Sequence, residues 1–471
     1  MSQVRSKVHT SRRTSGRTQA RRTSVVSLAA LALALVGTLL AAQSGSAAPG
    51  RDGAWTSQPA GRYAGAQRET QQTWRAVQTA AQTAGQGAKA GKTFGAQPVL
   101  SYRGAADPTV VRYPGGWLAV STGPAAPRAV APSPGGPWTN IPSALTALPS
   151  WAISGRIWAS DLVQVGGTWL LYFSAEVAGL GLDGRCIGVA TATDPTATFV
   201  PDERPVVCPK GAAAPAAYDK IKRRGKGMPK NGVIDPEYFK DRGGQQYLMY
   251  RTQSIPSSIR IVALPASGRA EGNPVRSTEM VRSNDDVIEN PTMVRRGRTY
   301  VLITSEGYFG DCSYITTSRR SVKITDWSRS KRQVMLNQAK TGLCGPGGAD
   351  LGRGPNNELM LFLHAWTCPS IGNCPAGVNY DRTSTYDARR SMFAGTLKFT
   401  KRKAPRIAAW TTPILPPPCT PVTPTATVTV TGTPTSTPVP PTPAPANPCP
   451  PSPTVTTTLT VAPTSAPAAR P

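Results

Sequence analysis

The chain has 471 residues, with 53 Lys and Arg against 25 Asp and Glu, a formal charge of +28, and 47 Pro and 45 Gly. Such a length holds one large domain or two ordinary ones, but that much Pro and Gly means part of it builds no packed core. With two histidines, His9 and His364, and no CxxC pair among eight cysteines, there is almost no material for a structural zinc site or a His-based triad.

Residues 1–24 carry seven Lys or Arg and no acid, Val25–Ala42 is apolar, and Gly45-Ser46-Ala47-Ala48 is small. Residues 1–48 therefore read as a signal peptide, cleaved after Ala47 or Ala48, and the protein as secreted and extracellular. A single membrane anchor is the competing reading, and Arg21-Arg22 ahead of the run also suits a twin-Arg exporter. Residues 49–97 are polar and rich in Gly, Ala and Gln, a leader of low order with room for one short helix around residues 71–81.

Between Leu100 and Lys403 no long helical periodicity occurs, while short β-rich runs recur between Gly, Pro and Asp turn signals. The region is predicted to be all-β. One pattern repeats: an acid, a short apolar run, a polar turn, then a second strand that is more apolar or aromatic. It starts at Asp107 (DPTVVRYPGGWLAVST), Asp161 (DLVQVGGTWLLYFSAE), Asp235 (DPEYFKDRGGQQYLMYRT), Glu289 (ENPTMVRRGRTYVLITSE) and, more loosely, Asp350 (DLGRGPNNELMLFLHAW). Five strand-turn-strand units, each with sequence left for two further strands, predict a five-bladed β-propeller over residues 98–403. A β-sandwich would account for the strands but not for the repeated acid.

Residues 404–471 are dominated by Pro, Thr, Ala, Val and Ser and are expected to form a disordered tail, without which residues 98–403 fold. On an exported chain eight cysteines favour disulfides. Nearest neighbours would join Cys186 to Cys208, Cys312 to Cys344, Cys368 to Cys374 and Cys419 to Cys449. Basic residues cluster at 220–230 and 319–332 without interleaved aromatics or a nucleic-acid-reading motif. No nucleic-acid partner is expected; these are solvated surfaces that would hold the protein near anionic cell-wall polymers.

In a propeller the first strands surround a central channel, so residues at their starts converge from distant parts of the sequence. Clustered carboxylates oppose one another's ionisation. Carboxylates of different proton affinity are what glycosidic cleavage needs, one activating water and one protonating the leaving oxygen.

The order ADPTVVR, IWASDLVQVGGTWLLYFS, VIDPEYFKDRGGQQYLMY, VIENPTMVRRGRTYVLITSEG and GPGG resembles glycoside hydrolase family 43, the arabinanases, arabinofuranosidases and β-xylosidases. The resemblance implies an inverting glycosidase acting on arabinose- or xylose-containing polysaccharide or oligosaccharide. By motif it implies Asp107 as general base, Asp235 as the aspartate that modulates the acid, and Glu289 as general acid. Three departures stand out. Ser160 replaces the proline of Trp-Ala-Pro-Asp. Arg389-Arg390-Ser391 matches the late Gly-Arg-Glu only in part, with Arg390 the substrate-binding candidate. Gly348 stands where the family often has a channel histidine, and with it a bound cation, typically calcium; no cofactor or metal is therefore expected, and His364 is read as a buried, satisfied histidine ahead of a replacement for the missing ring. Trp158, ahead of the second acid, is the favoured sugar platform over Trp151, Tyr308 and Phe309, and Asp161 is read as structural or substrate-binding. A non-catalytic glycan-binding propeller and a related propeller glycosidase or phosphorylase are the alternatives, although Ala106 before Asp107 departs from the Asn-Asp-Pro of fructan enzymes. A monomer is expected.

Overall fold

The computed structural model describes residues 95–101, 104–221, 231–382, 385–401 and 403–415, which fall in one compact unit. The signal peptide, nearly all of the 49–97 leader, the basic loop 222–230, Cys419 and Cys449 lie outside the described residues.

Five sheets, antiparallel except for one parallel pair at the rim of the second, form the blades of a propeller. Blade 1 is built from β1 (Thr109–Tyr113), β2 (Gly116–Val120), β4 (Arg128–Ala131) and β5 (Thr139–Ile141), with β3 (Gly123–Pro124) crossing to the next blade. Blade 2 takes β6 (Arg156–Val165), β7 (Thr168–Glu176), β8 (Arg185–Ala192) and β10 (Val207–Pro209), with β9 (Val200–Pro201) and β11 (Asp219–Ile221) at its rim. Blade 3 is β12 (Val233–Lys240), β13 (Gln246–Thr252), β14 (Ser257–Leu264) and β15 (Thr278–Ser283). Blade 4 is β16 (Ile288–Arg296), β17 (Thr299–Glu306), β18 (Ile315–Ser321) and β19 (Gln333–Leu336), and blade 5 is β20 (Cys344–Arg353), β21 (Leu359–Thr367), β22 (Arg389–Lys398) and β23 (Arg406–Trp410).

The second strand of every blade reads as a continuous apolar run because both of its faces are covered, one by each neighbouring blade. On β7, Leu171 and Phe173 pack with Leu118 and Val120 of blade 1, while Leu170 and Tyr172 pack with Leu248 and Tyr250 of blade 3. The same alternation puts Met249 against Leu302, Val301 and Ile303 against Leu361 and Leu363, and Phe362 against Val110 and Ala119. The core is thus five wedges between blades.

The ring closes at both ends of the domain. Leu100 bridges to Met392 on β22, and Val99 donates its N–H to Met392 O at 2.8 Å. Strand β23 lies beyond the boundary read at residue 403, which is corrected accordingly. It completes blade 5, Trp410 meets Phe393 edge-on, and Ile414 N–H reaches Gly135 O of blade 1 at 2.7 Å. Charged residues 401–406 masked a strand whose pairing partner, not its own pattern, orders it. Three of the four expected disulfides are formed: Cys186–Cys208, Cys312–Cys344 and Cys368–Cys374.

Candidate active site

Each blade brings its first strand to the channel through a local break. Register shifts occur at Trp158/Asp161, Ile234/Glu237, Glu289/Thr292 and Gly347/Asp350. At each break, and just before β1, one residue is left-handed: Asp107 (φ 47°), Ala159 (38°), Asp235 (56°), Asn290 (46°) and Gly348 (56°). Asp, Asn and Gly tolerate this backbone best, and a bulge of this kind re-aims side chains toward a site.

These five positions are the true repeat, so the five acids singled out in the sequence do not share one layer. Asp107 and Asp235 occupy the left-handed position itself, and Glu289 precedes it. Asp161 and Asp350 lie two residues further in, level with Thr109, Glu237 and Thr292. The prolines of Asp107-Pro108, Asp235-Pro236 and Asn290-Pro291 carried the register that the acids did not.

A left-handed residue in each blade turns its N–H toward the preceding blade, whose second strand or the turn following it meets it with a side-chain acceptor. Thr122 Oγ1 accepts from Ala159 N at 2.9 Å, Ser174 Oγ from Asp235 N at 3.2 Å, Ser305 Oγ from Gly348 N at 2.9 Å, and His364 Nδ1 from Asp107 N at 3.0 Å. Between blades 3 and 4 the pattern breaks. Arg251 occupies that place, and Asp235 Oδ2 accepts from Asn290 N instead, at 3.1 Å.

The break frees Arg251, buried on β13, to pair with Glu289 Oε2. Glu289 Oε1 accepts from Tyr314 Oη at 2.6 Å. Asp107 Oδ2 accepts from Thr122 Oγ1 at 2.7 Å and from Arg390 Nη1 at 3.3 Å. Burial works against its charge, but Arg390 and the hydrogen bonds outweigh it and hold the carboxyl well below the usual range. Asp235 has the opposite balance. Burial, with Glu289 and Asp107 adding to it, pushes Asp235 up to about 8 although Arg251 pulls the other way. A space of about 30 Å³ bordered by Asp107, Asp235, Asn290, Glu237 and Asp350 has room for about one water.

Asp161 is not placed as a substrate contact. It is buried, does not border this space, and its oxygens accept from Thr109 Oγ1 at 3.3 Å and Tyr238 N at 2.6 Å. With Glu237 and Asp350 it forms an inner group of carboxyls. Burial pushes Asp161 up to about 7, with Asp350 adding to it, Asp350 itself to about 6, and Glu237 well above the carboxylate range. Arg390 does reach the site, where it touches Asp107 and lies over the Phe309 ring at 4.9 Å. Trp158 is half-buried, with the Arg185 guanidinium over its ring at 3.6 Å and that of Arg156 at 6.0 Å. Trp151 is core, stacked on Phe173.

The calcium arrangement implied by the resemblance does not fit these residues. Gly348 offers no ligand, and a Cβ there would lie 2.3 Å from His364 Nδ1, so His364 from the adjacent strand fills the room of the absent side chain. Among the described residues no group of three or more His, Cys, Asp or Glu is disposed to hold a metal ion.

The model of glycosyl hydrolases family 43 matches residues 96–385. The chain belongs to this family. It is a glycosidase. Among solved structures, a thermostable family-43 glycoside hydrolase has a TM-score of 0.50 at 15% identity, covering 68% of this chain and 99% of its own. An exo-1,5-α-L-arabinanase from a bovine ruminal metagenomic library follows with a TM-score of 0.48 at 20% identity, covering 65% and 97%. The Cellvibrio cellulosa α-L-arabinanase complexed with arabinohexaose has 0.46 at 19% identity, covering 64% and 95%. No curated protein matches the chain.

Arg251, Tyr314, Thr122 and Asn290 were not singled out in the sequence. The signal available for Arg251 was an arginine closing the apolar run YLMYR, where burial demands a partner. For Tyr314 and Asn290 there was none beyond proximity to the Glu289 motif.

Proposed function

We propose that this family 43 glycosidase is a secreted, monomeric enzyme that cleaves arabinose- or xylose-containing polysaccharide or oligosaccharide by inversion. The observation that carries the reading is the contrast between two neighbouring carboxyls. Arg390, His364 and Thr122 hold Asp107 well below the usual carboxylate range against its burial, while burial beside Glu289 pushes Asp235 up to about 8. An ionised base and a retained proton are the two requirements of a single displacement. In this reading Asp107 removes a proton from water as the oxygen attacks the anomeric carbon. Glu289 delivers a proton to the departing oxygen, and Asp235 keeps that side of the site protonated. Arg390 orients the sugar, with Trp158 as the candidate platform. Secretion is supported by the basic, apolar and small-residue order of residues 1–48 and by the disulfides. The charge of +28, still +21 without the seven basic residues of 1–24, supports association with anionic wall polymers.

Leaving-group dependence tests the assignment. General acid catalysis is worth roughly 10²- to 10⁴-fold, so Glu289→Gln should lose about that much on an oligosaccharide and far less on a nitrophenyl glycoside, whose phenolate departs unaided. Asp107→Asn should be crippled on both. If wild type binds glycans but neither it nor the variants hydrolyse any, the binding-propeller reading stands.

A further inference from the structure

The first strands have two ends. Their starts bring Asp107, Asp235 and Glu289 to one mouth of the channel. Five or six residues further on, about 15–20 Å away at strand spacing, β12, β16 and β20 end in cations. Lys240 closes β12 and Arg242 stands in the turn after it, Arg295 lies at the end of β16, and Arg353 closes β20. These four side chains line a hollow of about 560 Å³, the size of a ligand site. Its apolar part includes Val294, Leu351 and Leu359, each half-buried.

Among the described residues none of the four cations is in an ion pair. Arg295 donates from Nε to Gly297 O at 3.1 Å and Arg353 from Nη1 to Asn357 O at 3.1 Å, so both meet carbonyls of their own turns. The acid in the lining, Asp241, is used by its turn as well, where Oδ1 accepts from Gly243 N at 2.8 Å and Gln245 N at 3.2 Å. Elsewhere on the domain arginines do meet carboxylates: Arg156 meets Asp183, Arg260 meets Glu279, Arg269 meets Asp202 and Arg319 meets Glu306. Like charges set around one hollow repel one another, so the arrangement is costly until an anion fills it.

The lining selects the anion. Guanidinium forks bind a planar carboxylate through two parallel hydrogen bonds, and the apolar side chains between them suit the C–H faces of sugar rings. Four cations around one hollow call for several anions along one chain. The catalytic mouth, lined by carboxylates, repels the same polymer.

We infer that the hollow at the far ends of β12, β16 and β20 is a second, non-catalytic glycan site that binds a carboxylate-bearing polysaccharide, a chain of uronic acids. The inference rests on the association with anionic polymers proposed above, which it locates, and not on the roles of Asp107, Asp235 or Glu289. Bound there, the enzyme meets pentose chains attached to the same polymer at raised effective concentration, with its active site open.

The test measures oligogalacturonate binding to the full chain by calorimetry at low salt. It compares wild type with Lys240→Gln/Arg242→Gln/Arg353→Gln and with Lys323→Gln/Arg329→Gln/Lys331→Gln, which removes the same charge from the β18–β19 connection. All six side chains are exposed, so Tm should hold in both variants. Exposed pairs are weak singly, but losing three should weaken binding about tenfold in the first variant and little in the second. Added salt should weaken wild-type binding. No loss in the first variant, or equal loss in both, overturns the site. Tighter binding of a polyphosphate of matched charge overturns the choice of a carboxylate polymer. A wild type that binds no oligogalacturonate overturns the association itself, whereas one that binds it but hydrolyses no glycoside overturns the catalytic reading and leaves the site standing.

Discussion

Arg251→Met removes the cation paired with Glu289 while keeping an unbranched apolar stem in its place. The two side chains are 9% and 11% exposed, so solvent screens the pair little. Arg251 also pulls Asp235 down, against burial and the two neighbouring carboxylates. An opposite charge this close shifts a carboxyl by about 1–3 pH units. Without it, Asp235 should hold its proton more tightly, and the basic limb of kcat/KM should rise by about that amount. The limb reports the free enzyme, so an oligosaccharide assayed from pH 5 to 10 under kcat/KM conditions measures it. Breaking a buried pair also costs about 3–5 kcal/mol of stability, to be read by denaturant unfolding at pH 7. A limb that stays in place or falls would refute the electrostatic reasoning, because no loss of a cation can make a neighbouring acid give up its proton earlier.

Stability itself should depend on pH in an uncommon direction for a carboxylate-rich site. Asp235, Asp161 and Asp350 are raised from 3.8 to about 8, 7 and 6, so between pH 4 and 8 the folded state binds more protons than the unfolded one and stability falls as pH rises. Asp107 acts oppositely, but only below about pH 4. Urea midpoints at pH 4.5, 6 and 8 should decline in that order, and Glu237→Gln should flatten the decline; a rising series would overturn the assignment of the inner carboxyls. Truncation after Leu415 should leave Tm unchanged, whereas truncation before Arg406 removes β23 and the Trp410 contact with Phe393 and should lower it by several degrees. Equal Tm values for the two would mean that β23 contributes nothing to blade 5.

Much of the architecture was written locally. Each second strand is apolar throughout because it is covered on both faces, so YLMY, YVLIT and MLFLHA announce blade centres without reference to anything distant. Asp-Pro at 107 and 235 and Asn-Pro at 290 likewise mark the channel ends of their strands, since a left-handed residue ahead of proline has few other uses there. The level of each acid was less legible. Asp161 and Asp350 look like Asp107 in a list of acids, and only the bulges show that they lie two residues deeper, with Glu237 for company.

What the sequence by itself determined is the succession of paired first and second strands and the left-handed channel positions at Asp107 and Asp235, because those follow from covered faces and local backbone preference. The tertiary structure alone decided which carboxyl is pushed toward ionisation and which away from it. His364 meets Asp107 across 257 residues, Arg390 meets it across 283, and Arg251 meets Glu289 from the neighbouring blade. Proton affinity depends on burial and on charges within a few ångströms, and in a closed ring of blades those neighbours come from parts of the chain that no local pattern connects.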